Sequence, residues 1–377
     1  MNAKHYIIGL VMLIAFSSCR SGKNLTTPGL QRKDFQTEVE GQPTDLYTLK
    51  NKKGMEVCIT NYGARVVSIL APDRNGNFED IVCGFPTIGQ YVSQRQNFGS
   101  TVGRYIGRIL NARFTIDSVE YKLQASGGGH CSHGGNPGFA DRVWKVEHLT
   151  RHSIRLSYLS PDKENGFPGN LRVSLTYRLT EDNALDLTYE ATTDAPTVLN
   201  LSHHSFFNIS GDFTRTVESQ QMWVDADRFT PYDNKKCVIG EFWPVADTPL
   251  DFRTPRTIGE KINADYPQLK VVNGYDHTWE LNTKGDDSRL AAWVYDPVSG
   301  RKMEIFTTEP GVQIYTANGL GGKLVGKQGI AYPFRSAICL ETMHFQDSPN
   351  QPQFPSTILR PGKTFGSHTL YRFSVQP

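Results

Sequence analysis

Apolar and polar side chains alternate with a period of two along almost the whole chain from Thr37 onward. Successive strand side chains point to opposite faces, so this pattern specifies strands with one buried face and argues against a helical architecture. The stretches Asp45–Lys50, Met55–Thr60 and Ala64–Leu70 read as short strands, separated by the turns Asn51–Gly54 and Asp73–Gly76. The pattern returns at Arg113–Ile116, Ser153–Leu159, Leu171–Leu179, Ala184–Ala191 and Thr369–Val375. Helical periodicity is nearly absent; Ile258–Ala264 reads as one short helical turn. No composition break divides residues 37–377, and no internal repeat is visible. The expected fold is therefore all-β, one large single-domain antiparallel β-sandwich.

Two irregular stretches interrupt the alternation. Gln124–Phe139, QASGGGHCSHGGNPGF, is Gly-rich and holds His130 and His133. Asn318–Gly329 contains Gly321-x4-Gly326-Lys327, close to a phosphate-binding loop. Gln328 stands where a magnesium-binding Ser or Thr is needed, and no helix follows, so this stretch reads as a flexible loop.

The first residues read as a targeting segment. Lys4 precedes an apolar run from Tyr6 to Phe16, too short to span a bilayer, and Ser17-Ser18-Cys19 follows. Small residues before a Cys resemble a bacterial lipoprotein cleavage site, although Phe16 departs from the usual aliphatic residue. An ordinary signal peptide with a coincidental Cys is the alternative. The expected organisation is a signal peptide over 1–19 with lipidation at Cys19, a flexible tether over 20–36, and a domain over 37–377. It places the protein in a bacterial cell envelope, exported and membrane-anchored, facing the periplasm or the surface. The other five cysteines are odd in number and not closely spaced, which fits buried small hydrophobes better than a zinc knuckle. Forty basic against thirty-eight acidic residues give a net charge of +2. No field of one sign is available to gather nucleic acid.

Glu341 poses the sharpest question. It lies within Ile338–Pro355, ICLETMHFQDSPNQPQFP, a strand running into a loop. Ile338, Leu340 and Thr342 share one face; Cys339, Glu341 and Met343 share the other. No Lys or Arg stands within five residues on either side. A carboxylate taken out of water is costly unless paired or protonated. Either Glu341 has a structural partner or its raised proton affinity is used.

Other candidates are individually ambiguous. In Asn200–Asn208, NLSHHSFFN, adjacent His203 and His204 face opposite sides, so they cannot chelate one metal together. Each is a hydrogen-bonded core residue or a proton carrier. Asp276 in NGYDHTW is a turn aspartate or a ligand group. Arg104 and Arg108 in TVGRYIGR are a surface salt-bridge pair or anion and hydroxyl binders.

As an ordered set, VGRYIGRI, HCSHGGNPGF, NLSHHSFFN, NGYDHTW, EPGVQIYTAN and CLETMHFQDSPNQPQFPS resemble the aldose 1-epimerase (galactose mutarotase) family, from about Thr37 to Val375. The resemblance implies a large β-sandwich with a cleft across one sheet. It implies Glu341 as general base and His204 as general acid. Arg108, His133, Asp276 and Gln313 would bind sugar hydroxyls. Two residues depart from the family pattern: Gly107 and His203 stand where Asn is common. The implied activity is interconversion of the α and β anomers of free aldohexoses such as galactose and glucose. It needs no cofactor, and no metal ligand pattern is present, though a bound Ca2+ stays open. The expected partner is a monosaccharide and the expected state a monomer. Trp279, Phe206 or Phe207 are candidates for stacking on the sugar, with core packing the role of at least one. The rival readings are a carbohydrate-binding lipoprotein, a glycoside hydrolase using two carboxylates, and a sugar-phosphate epimerase.

Overall fold

The computed structural model describes residues 29–126 and 128–376, and the backbone of 25–26. The expected signal peptide, Cys19 and the first part of the tether lie outside them.

Three antiparallel sheets carry the architecture. Strands β1 (Leu46–Lys50), β2 (Glu56–Thr60), β3 (Arg65–Pro72) and β4 (Phe78–Asp80) form a four-stranded meander. Helix α1 (Ile88–Gln94) and the short strands β5 (Ser100–Val102), β6 (Arg108–Ile109) and β7 (Cys131–Ser132) follow. Next come β8 (Lys145–Leu149), β9 (Ser153–Ser160), β10 (Leu171–Leu179), β11 (Ala184–Thr193) and β12 (Ser202–His204). Then β13 (Gln221–Val224), β14 (Arg228–Thr230), β15 (Trp243–Pro244), β16 (Arg256–Thr257), helix α2 (Pro267–Val272) and β17 (Asp276–Glu280). The chain closes with β18 (Ala292–Tyr295), β19 (Arg301–Thr307), β20 (Gly311–Tyr315), β21 (Cys339–Met343) and β22 (Phe365–Val375). A nine-stranded sheet has the order β8-β9-β10-β11-β22-β19-β18-β13-β16, and a five-stranded sheet the order β15-β14-β17-β20-β21.

The alternation has its expected consequence. In β10, Leu171, Val173, Leu175, Tyr177 and Leu179 are buried while Arg172 and Arg178 are exposed. Strand β3 is buried on both faces, as its nearly unbroken apolar run requires. One hydrophobic cluster draws on all three sheets, with Val57 and Val66 from the meander, Leu175 and Ile305 from the large sheet, and Val312 and Leu340 from the five-stranded sheet. The all-β sandwich reading holds.

Local differences from expectation have physical causes. Helices α1 and α2 have no apolar periodicity long enough to detect, being 7 and 6 residues. Only Ile258–Glu260 of the expected turn is a 3-10 helix. The packed body begins before Thr37, since Leu30 and Phe35, at 3% and 0% exposure, belong to the second hydrophobic cluster. The described part of the expected tether thus folds onto the domain. The phosphate-loop lookalike is not a free loop either. Lys327 is buried, donates to the Val67 carbonyl at 2.5 Å and pairs with buried Asp80. Arg104 is no surface pair with Arg108: it is buried and donates to the Ser160, Pro161 and Pro168 carbonyls.

Candidate active site

Registry places the two central residues. Phe207 and Ile338 exchange backbone hydrogen bonds at 2.8 Å in an antiparallel bridge. Carried three residues outward, that registry sets His204 opposite Glu341. Their Nε2 and Oε1 atoms are 3.4 Å apart. Beyond them, the Asn200 side chain donates to the His344 carbonyl and accepts from its N–H, both at 3.0 Å. The segments carrying His204 and Glu341 are therefore clamped on both sides of the pair.

The five-stranded sheet supplies the floor. Pairing sets Thr278 opposite Gln313 and Gln313 opposite Glu341, a row across β17, β20 and β21. Val312, Ile314 and Leu340 enter the core from these strands, so by alternation Gln313 and Glu341 face the opposite way, into the cleft. The cleft measures about 260 Å³, near the small end of ligand sites, ~300–1,000 Å³. Arg108, His133, His204, Asp276, Gln313 and Glu341 all line it. The six residues that the family resemblance assigns to catalysis and sugar binding are thus brought to one place, whereas Arg104 and His203 are not among its lining.

The far wall comes from the Gly-rich stretch. Arg108 pairs with Ser132 across β6 and β7. The next residue, His133, accepts from the Gly107 N–H at Nδ1, 3.4 Å away. Gly134 must be glycine: its φ is +81°, and a Cβ would lie 2.0 Å from the Gly103 carbonyl oxygen. Arg108 Nη1 donates to the Lys236 carbonyl at 2.7 Å.

Burial sets the electrostatics. It holds the Glu341 carboxyl well above its usual 4.5, helped by the negative charge of Asp276. It holds His204 well below 6.5, helped by His133. His133 is lowered to about 4 by burial and by Arg108. Asp276 is raised by burial and receives the Gln313 amide at 2.7 Å. Gln313 also accepts from the Thr278 hydroxyl at 2.5 Å.

Of the aromatic candidates, Trp279 and Phe207 belong to the core, at 0% and 1% exposure. Phe206 lines the cleft and stacks on His204, rings 5.0 Å apart and 17° from parallel. Tyr232, Tyr315 and Gln346, none of them singled out by the sequence pattern, also line it. Gln346 stands in the Glu341 motif and was within reach; Tyr232 had no local signal. His203 faces away from the cleft and bonds Ser205 and Tyr177 at 2.6 and 3.3 Å. Among the described residues, one cluster places metal-ligand atoms together: His204, Cys339 and Glu341, all within 4.8 Å. That mixed N, S and O set is unlike the all-oxygen shell Ca2+ takes.

The family model described as Aldose 1-epimerase matches residues 45–372. Galactose mutarotase of Sus scrofa is 36% identical over 321 residues, 85% of this chain and 92% of the relative. The chain belongs to the aldose 1-epimerase family. Aldose 1-epimerase of Escherichia coli (strain K12) is 35% identical over 339 residues, 89% of this chain and 97% of the relative. Among solved structures, the aldose epimerase homologue from C. elegans superposes with a TM-score of 0.82 at 28% identity, covering 89% of this chain and all of that one. Galactose 1-epimerase from Lactobacillus acidophilus NCFM gives 0.79 at 26%, covering 90% and 97%. The fold of an aldose epimerase is thus shared along nearly the whole described chain.

Proposed function

We infer that this chain is an aldose 1-epimerase, an isomerase that interconverts the α and β anomers of free aldohexoses such as galactose and glucose. The observation that carries the reading is the buried His204–Glu341 contact at the floor of a cleft of this size. Anomer exchange requires a proton to leave the C1 hydroxyl and a proton to reach the ring oxygen as the C1–O5 bond opens. Rotation about C1–C2 presents the other face of the aldehyde, and reclosure reverses both transfers. Those two oxygens share one carbon, so donor and acceptor must stand close together, as Nε2 and Oε1 do.

Glu341 takes the C1 proton and His204 protonates the ring oxygen. Burial tunes both in the useful direction: a raised carboxylate is a stronger base and a depressed imidazolium a stronger acid. The pair holds one proton between its members, so the ion-paired and neutral arrangements differ only by its position. Arg108, His133 and Asp276 hold ring hydroxyls and keep the open aldehyde in place. Gln313 has its amide committed to Asp276 and Thr278, which fixes the carboxylate. No step calls for a metal or an organic cofactor. A glycosidase would use a second carboxylate across the glycosidic bond; Asp276 shares the cleft, but it is bound by the Gln313 amide, and that chemistry leaves the His204 imidazole against Glu341 without a role.

Polarimetry of freshly dissolved α-D-galactose and α-D-glucose tests the reading. The protein should speed relaxation to the same final rotation. Glu341→Gln and His204→Asn should each lose about 10²–10⁴-fold in rate, with sugar affinity in Glu341→Gln within roughly tenfold. Unaccelerated relaxation with both sugars, or a His204→Asn variant at full rate, would overturn it. The reading of Cys19 as a lipid anchor in a bacterial envelope is supported by the sequence pattern alone. Cys19→Ser should then move the full chain from the membrane to the soluble fraction.

A further inference from the structure

One wall of the cleft is built around a missing side chain. Gly107 immediately precedes Arg108 at φ +76°, and a Cβ there would stand 2.6 Å from Gln346 Cγ and 3.0 Å from its Cδ. Gln346 fills that space, 6% exposed and lining the cleft. Its Oε1 accepts from the Arg108 N–H at 3.2 Å. Its Nε2 donates to the Tyr232 hydroxyl at 2.7 Å and lies 3.4 Å from Gln313 Oε1. Gln313 passes the connection on to Asp276 at 2.7 Å. Three segments distant in sequence thus meet on the Gln346 amide, which has both donors and one acceptor lone pair engaged.

We infer that Gln346, seated in the space Gly107 leaves, sets which aldose the cleft accepts, by holding Arg108, Tyr232 and, through Gln313, Asp276 as one hydrogen-bonded frame. It is a positioning residue, and the inference rests on the epimerase reading. Aldoses that differ at one carbon place a single hydroxyl differently. A hydrogen bond weakens steeply with distance and angle. A rigid frame therefore rejects the misplaced hydroxyl, because its own buried polar groups are left unpaired. The acid and base lie outside this frame: none of Gln346's hydrogen bonds reaches His204 or Glu341. Residues 107 and 346 also share one volume, so a side chain at 107 requires a smaller one at 346.

The test is a double-mutant cycle with Gln346→Ala, Gly107→Asn and the pair, assayed with galactose, glucose and xylose. Asn tolerates positive φ better than most residues, so in Gly107→Asn the collision with Gln346 dominates. Gln346→Ala should raise KM by about tenfold and shift the galactose-to-glucose ratio of kcat/KM by about threefold or more. KM should move more than kcat, and the acid limb of the pH profile, set by His204, should stay in place. The double variant should retain at least about fivefold more kcat/KM than the product of the single losses predicts. Gln346→Glu keeps the size and the acceptor but loses the donors to Tyr232, so it should shift the same ratio without opening a void. Additive losses together with an unmoved sugar ratio in both Gln346 variants would reduce Gln346 to packing and overturn the inference. A wild-type protein without turnover would instead sink the epimerase reading. Affinities for the same sugars by calorimetry would then decide the role of Gln346, and equal affinity ratios in wild type and variants would overturn it.

Discussion

Glu341 and His204 are displaced in opposite directions by one cause, removal from water. A buried carboxyl resists ionisation and a buried imidazole resists protonation. The working state holds one proton on the pair. At low pH a second proton arrives on His204, whose affinity is held below the ordinary 6.5. At high pH the single proton leaves Glu341, whose affinity is held well above 4.5. The expected profile of kcat/KM is therefore a bell, with an acid limb below pH about 6.5 and a base limb far above the ordinary carboxylate range. Stopped-flow polarimetry across pH reads it directly. A single rise centred on an ordinary carboxylate pKa would show that Glu341 titrates alone and that the pair is not coupled.

At the scale of elements, the site depends on strands being held in registry by parts that never touch the cleft. The Asn200–His344 clamp is one such part. Lys327 is another: it anchors the connection leading to β21 against Val67 on β3 and Asp80 on β4. Both members of the Lys327–Asp80 pair are buried, and burial already raises the Asp80 carboxyl despite its partner. Lys327→Met leaves that carboxyl with only the Ile69 and Val82 N–H groups, at 3.2 and 3.3 Å. The expected loss is about 3–5 kcal/mol in urea unfolding. Asp80→Asn in the Lys327→Met background should recover part of it, because the stranded charge is gone. Equal midpoints for wild type and Lys327→Met would show that the connection is anchored elsewhere.

At the scale of the whole molecule, one hydrophobic cluster links all three sheets, and the segment before residue 37 is sewn onto a second one. Phe35 is fully buried, its carbonyl accepts from the Thr44 hydroxyl at 2.7 Å, and Arg32 pairs with Asp45. A form that begins at residue 25 keeps the pairing of Leu25–Thr26 with Leu30–Gln31 and serves as the reference. Removing 1–36 should cost about 3–5 kcal/mol, the usual loss for a buried Phe. Calorimetry of the two truncations distinguishes them. Equal stability would return the body's boundary to Thr37.

The sequence by itself determined the fold class and six of the residues that line the site. Two-residue alternation is a local property, and it puts Leu340 and Glu341 on opposite faces without knowledge of any neighbour; folding decides that the Leu340 face is the core and the Glu341 face the cleft. Arg108, His133, His204, Asp276, Gln313 and Glu341 were legible as a set only through the resemblance of their ordered motifs to the aldose 1-epimerase family. Only the tertiary structure decided which groups touch. His204 meets Glu341 because Phe207 pairs with Ile338, a contact between segments more than a hundred residues apart. Gln346 was visible in its motif, yet its importance depends on the empty space at Gly107, and Tyr232 had no motif at all. Lys327, which reads locally as part of a flexible loop, is fixed by a carboxylate on a distant strand. Local pattern sets which face a side chain takes; burial, registry and the volume left by a neighbour are properties of chain segments brought together only by folding.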